Sequence, residues 1–124
     1  MKLYGALASP YVARVVMFAD LKGIEIPMES APGGMGSDEY KRINPIGKIP
    51  ALEVDGTYIA ESTVICEYLE RVHPEPAVIP TDPLLQAQSR MIARMTDLYI
   101  APHNSPLSRI RATADRDQAV IDTH

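Results

Sequence analysis

Three short runs carry residue types that could do chemistry: Ser9-Pro10-Tyr11-Val12, Asn44-Pro45-Ile46-Gly47-Lys48-Ile49-Pro50-Ala51-Leu52, and Glu61-Ser62. In the first, Ser-Pro is a common helix start, because the hydroxyl caps backbone N–H groups and proline fits the first turn. The same hydroxyl could donate a hydrogen bond to a thiolate held at that helix N-terminus, where backbone dipoles favour negative charge. Together these would draw a bound thiol's pKa from about 8.5 towards neutrality. In the second run, a trans bond before Pro50 is the default. A cis Ile49–Pro50 bond would instead turn the backbone so that Ile49 offers its N–H and C=O to an extended peptide ligand. In the third, a helix start with a free hydroxyl is a good carboxylate site, and a neighbouring glutamate can hold an ammonium group. The pair suits the α-amino acid end of a ligand, or simply caps a helix.

The elements that must position these runs can be read from periodicity. Lys2 to Gly5 is a short strand, and Val12, Val15, Val16 and Ala19 recur at the helix period up to the stop at Gly23. Ile24 to Ser30 reads as a second strand, irregular or at an edge because of Pro27. Ser37 to Ile43 is a short helix, preceded by a loop at Gly33-Gly34-Met35-Gly36 that matches no phosphate-binding pattern. Ala51–Val54 and Thr57–Ala60 flank Asp55-Gly56, the favoured chemistry of a two-residue hairpin turn. A helix follows from Ser62 with Ile65, Tyr68, Leu69 and Val72 on one stripe, ended by His73-Pro74. Four prolines at 74, 76, 80 and 83 then mark a boundary. Beyond it a helix from Pro83 carries Leu84, Met91, Met95 and Leu98, broken or kinked near Pro102 and Pro106, and residues 115–124 resemble the start of another. The expected organisation is a first domain over 1–74, a linker over 75–82, and the start of a helical domain over 83–124. The first domain is α/β in the order βαβαββα, the thioredoxin-like arrangement.

Composition narrows the function classes. The 124 residues have 46% hydrophobic and 23% charged content, a net charge of -4 and no basic block, which argues against nucleic acid as the main partner. No apolar stretch is long enough to span a bilayer, and the N-terminal residues lack a secretory apolar region. A single cysteine, Cys66, suits a reducing, cytoplasmic compartment. It reads as a small packing residue, and His73, His103 and His124 form no metal-ligand spacing with it, so no metal is expected.

The three runs, in this order and at these topological positions, resemble the glutathione transferase superfamily, and the resemblance covers nearly the whole chain. It implies a serine-type enzyme that takes glutathione as co-substrate and activates its thiol for attack on an electrophilic small molecule, as in detoxification. It implies that Ser9 hydrogen-bonds the sulfur and that Ile49, ahead of a cis Pro50, pairs with the cysteinyl unit. Glu61 and Ser62 would hold the γ-glutamyl end, and Lys48 the glycine carboxylate. Arg14 matches a recurrent arginine and reads as structural. Asp97 resembles in position an acid that some classes extend across a homodimer interface. The double-serine and cysteine pattern of the zeta class is missing, as is the omega-class cysteine, and most of the helical domain lies outside the chain. With Ser9 and Val12 where redox relatives place Cys-x-x-Cys, a glutaredoxin-like dithiol reaction has neither of its thiols. A non-catalytic interaction module of the same fold is the alternative to the enzyme.

Overall fold

A computed structural model describes residues 1–103. Four strands form one sheet in the order β2-β1-β3-β4: β1 (Lys2–Tyr4), β2 (Met28–Glu29), β3 (Ala51–Val54) and β4 (Thr57–Ala60). β2 runs parallel to β1, whereas β3 is antiparallel to both β1 and β4. The helices are α1 (Pro10–Leu21), α2 (Ser62–Val72) and α3 (Pro83–Met95), with a π-helical continuation at Thr96–Ile100. The sequence places these elements well. Their lengths differ where proline and glycine intervene.

Alternation along the strands builds two apolar layers. Leu3 and Leu52 face α1 and α2, where they pack with Val12, Val15, Ala19, Ile65, Cys66 and Leu69. Tyr4 and Ala51 point the other way, onto Tyr40. A fully buried Leu, Ile or Val contributes about 2 kcal/mol by leaving water, so the first layer dominates. Val72, expected on the α2 stripe, is exposed. α1 ends as its sequence predicts: Gly23 takes φ +67° and Ile24 N–H closes onto the Ala19 carbonyl at 2.9 Å. Asp55 and Gly56 both have positive φ, the hairpin turn that matches strand twist.

Two elements are shorter than the sequence suggests. The segment Ile24–Ser30 pairs regularly only at Met28–Glu29, because Pro27 has no N–H and offers only its carbonyl, to Leu3 N–H at 2.9 Å. The helix expected over Ser37–Ile43 is a single 3-10 turn, Tyr40–Arg42. Ser37 stands before it, its Oγ accepting from Tyr40 N–H at 3.0 Å and donating to the Pro32 carbonyl at 2.7 Å.

The chain divides into two compact units, the first being Met1–Ile79. Residues 76–79, within the expected linker, are tied to that unit by a charged clamp. Lys22, its side chain wholly buried beyond the end of α1, donates to Glu70 at 2.6 Å and to the Pro76 carbonyl at 2.8 Å. Glu70 in turn accepts from Val78 and Ile79 N–H at 3.0 and 3.1 Å. Burial alone would raise the Glu70 pKa. The bonds from Lys22, Ile79 and Val78 outweigh it and hold the carboxyl below its usual range.

The second unit begins at Pro80. Asp82 caps α3 through both Leu84 and Leu85 N–H at 3.0 and 2.9 Å. Its expected stripe of Leu84, Met91, Met95 and Leu98 is exposed. Pro102 lies within a helical stretch, while Pro106 and the helix expected over 115–124 fall outside the described residues. No described helix is long and apolar enough to cross a membrane.

Candidate functional site

Register brings the three runs to one end of the sheet. Tyr4 lies opposite Ala51, and Ala51 opposite Ala60. The residues just past that row are Gly5, leading to the α1 start, Pro50, entering β3, and Glu61, leaving β4. Neighbouring strands lie about 5 Å apart, so the starts of β3 and α2 are close neighbours there.

Ser9 is the N-cap of α1, with extended backbone and Pro10 following. Its Oγ accepts from Val12 N–H at 3.5 Å, a long bond, and its own proton is not used in that contact. Ser9 is therefore a cap, and a half-buried one whose hydroxyl can still donate.

The Asn44–Pro50 run is held from beneath. Asn44, buried, donates from Nδ2 to the Lys48 carbonyl at 2.6 Å and accepts Ile46 N–H at 3.1 Å. Tyr40 donates its hydroxyl to the same Lys48 carbonyl at 3.1 Å, and burial pushes its pKa up to about 12, so it stays a donor. Gly47 turns at φ +72° against the backbone of Gly36, whose N–H it receives at 2.9 Å; a Cβ there would stand 3.0 Å from Gly36 Cα. The Ile49–Pro50 bond is cis. Pro50 is buried and Ile49 half-buried, and among the described residues neither backbone group of Ile49 takes part in a turn or loop hydrogen bond. Lys48 is exposed. Tyr40 has no local sequence signal as a support, whereas the Asn-Pro turn start is one for Asn44.

Glu61 and Ser62 separate into different roles. Glu61, not Ser62, is the N-cap of α2, with φ 69° and ψ 114° and no capping bond from its side chain. A non-glycine residue at positive φ carries about 1–3 kcal/mol of strain, and such residues cluster at ligand sites. The exposed Glu61 side chain and the first N–H groups of α2 are both left to meet something other than each other. Ser62, only 5% exposed, receives Arg14 Nη1–H at 2.8 Å on its Oγ. The Arg14 guanidinium lies 5.8 Å from the Tyr11 ring centroid, a second contact on α1. Arg14 is thus placed at the site, a link between helices 48 residues apart that no local pattern signals.

The remaining chemistry-bearing groups stand apart. Cys66 is buried and unpaired, and burial pushes its thiol up to about 11, far from reactive. Asp97 lies in the π-helical stretch of the second unit and is half-buried. Among the described residues no cluster of His, Cys, Asp or Glu could hold a metal. A cavity of about 390 Å³ along the later half of α1, lined by Leu3, Val16, Ala19 and Ile26, contains none of the predicted site residues.

A mixed four-stranded sheet with a capped helix start, a cis-proline loop and an open helix N-terminus at one end defines a thioredoxin-like domain. The family model for the glutathione S-transferase N-terminal domain matches residues 3–77, and the chain belongs to that family. It is 37% identical over 130 aligned positions to maleylacetoacetate isomerase of Pseudomonas aeruginosa, covering 98% of this chain and 60% of that enzyme. Among solved structures it resembles a bacterial zeta-class maleyl pyruvate isomerase (TM-score 0.80, 29% identity, 99% of this chain and 60% of that one). It also resembles the β-etherase LigF from Sphingobium sp. strain SYK-6 (TM-score 0.79, 31% identity, 98% and 54%). The chain spans 60% or less of the length of these relatives. The thioredoxin-like fold expected from the sequence is the fold observed.

Proposed function

We infer that the first unit is the glutathione-binding part of a glutathione transferase, and that its reaction is attack of the glutathione sulfur on an electrophilic small molecule. The observation that carries this reading is the uncapped start of α2, with Ser62 held in place, beside the cis Pro50 loop at the same sheet end as the α1 start. A γ-glutamyl carboxylate fits the α2 N–H groups and Ser62, and its ammonium fits Glu61. The cysteinyl backbone fits Ile49 as one added strand pair. Lys48 is an exposed cation that can reach the glycine carboxylate. The sulfur then falls to Ser9, whose hydroxyl and helix start stabilise the thiolate.

In the chemical step the thiol proton leaves to solvent, the thiolate forms a carbon–sulfur bond, and the electron pair departs with the leaving group or onto an acceptor conjugated to the attacked carbon. The names of its relatives point to unsaturated keto acids or ethers as the electrophile class, with detoxification as the broader role. A homodimer is the expected assembly, supported by the exposed apolar side chains of α3, and the single cysteine supports a cytoplasmic setting. The test is ultraviolet absorbance of bound glutathione thiolate against pH. Ser9→Ala is expected to raise the thiol pKa while leaving affinity nearly intact. An unchanged titration would leave Ser9 as a helix cap and remove it from the reaction.

A further inference from the structure

The contact between Arg14 and Ser62 has chemical direction. A guanidinium only donates, so at 2.8 Å the Ser62 oxygen is the acceptor and its single proton must point elsewhere. Among the described residues the Ser62 side chain makes no other hydrogen bond, although the residue is 5% exposed. A buried hydroxyl proton without an acceptor is unfavourable, and here it lies beside backbone N–H groups that no side chain caps. The guanidinium lies 5.8 Å from the Tyr11 ring centroid, so Arg14 meets a second group on its own helix.

We propose that Arg14 is a positioning residue for carboxylate capture: by donating to Ser62 Oγ it commits the serine proton to the open start of α2, making Ser62 a donor to an incoming carboxylate. This rests on the reading of the α2 start as the γ-glutamyl site. It also gives the site a half-buried positive charge that glutathione meets through Ser62 rather than directly. A serine free to rotate would spend part of its time offering lone pairs to an anion. The arginine removes that state.

The test is calorimetric titration of the whole chain with two probes, glutathione and the analogue whose γ-glutamyl α-carboxylate is a carboxamide. Wild type should prefer glutathione. Arg14→Gln should weaken glutathione by about tenfold and leave the carboxamide within about twofold, so that discrimination collapses. On a Ser62→Ala background the same substitution should have little further effect. Equal weakening of both probes, or an undiminished effect without Ser62, would show Arg14 to be scaffold only and overturn the proposal. If wild type itself does not distinguish the probes, the carboxylate site is misplaced, and the reading beneath the proposal fails first. Should Arg14→Gln not fold, Arg14→Lys, which keeps the stem and the charge, must still discriminate less than wild type.

Discussion

Replacing Lys22 by methionine removes one half of the charged clamp that ties residues 76–79 to the first unit. The lysine side chain is 0% exposed and that of Glu70 16%, so the pair is largely withdrawn from water. Deleting one partner of such a pair typically destabilises by about 3–5 kcal/mol, because the other charge is stranded. Glu70 would keep two backbone N–H donors and some solvent, which brings the expectation to about 2–3 kcal/mol. For a unit of this size that lowers Tm by roughly 10–20 °C. Urea and thermal unfolding followed by circular dichroism would read it, and Lys22→Met with Glu70→Gln, which keeps an oxygen for Val78 and Ile79 N–H but strands no charge, should recover part of the loss. The pH dependence has a definite sign. The Glu70 pKa is depressed in the folded state, so its contribution is complete above its ordinary value of 4.5 and is lost as pH falls below that. Lys22→Met should therefore flatten the acid limb of the stability curve. A variant within 0.5 kcal/mol of wild type (about the effect of an ordinary surface change), with an unaltered acid limb, would refute the clamp.

Other consequences can be checked on the same protein. Glu61→Gly should raise stability by about 1 kcal/mol by relieving positive φ, while weakening glutathione; a variant both less stable and unchanged in binding would contradict this. Gly47→Ala should lose about 2 kcal/mol, since its φ is +72° and Gly36 Cα stands 3.0 Å from the new Cβ, and denaturant unfolding would show it. Cys66, buried with its thiol near 11, should react slowly with a thiol reagent in the folded state and rapidly in urea.

What was legible in the sequence was local. Asp55-Gly56 names its own turn, and Ser9-Pro10 and Asp82-Pro83 name their helix starts. The segment Ser37–Ile43 forms one turn and not a helix because glycines before it and Pro45 after it leave room for no more, and Ser37 closes that turn. The pairings of Arg14 with Ser62 and of Lys22 with Glu70 each join residues 48 apart, and nothing in either neighbourhood encodes the partner. The same holds for the reversal at the α2 start. Glu61-Ser62 reads as a serine cap, but the backbone of Glu61 swings to positive φ and passes the cap position to the glutamate, which leaves the helix open.

Glutathione capture at the α2 start is the reading on which the proposed function rests. Its most direct test is calorimetric titration of glutathione into the wild-type chain and into Glu61→Ala with Ser62→Ala. Both proteins should first show matching far-ultraviolet circular dichroism and cooperative unfolding. Two charge-assisted contacts are removed, each worth about 1.5–3 kcal/mol, so a loss of affinity of at least a hundredfold is expected. Equal affinity in two folded proteins would mean that glutathione is not held at the α2 start.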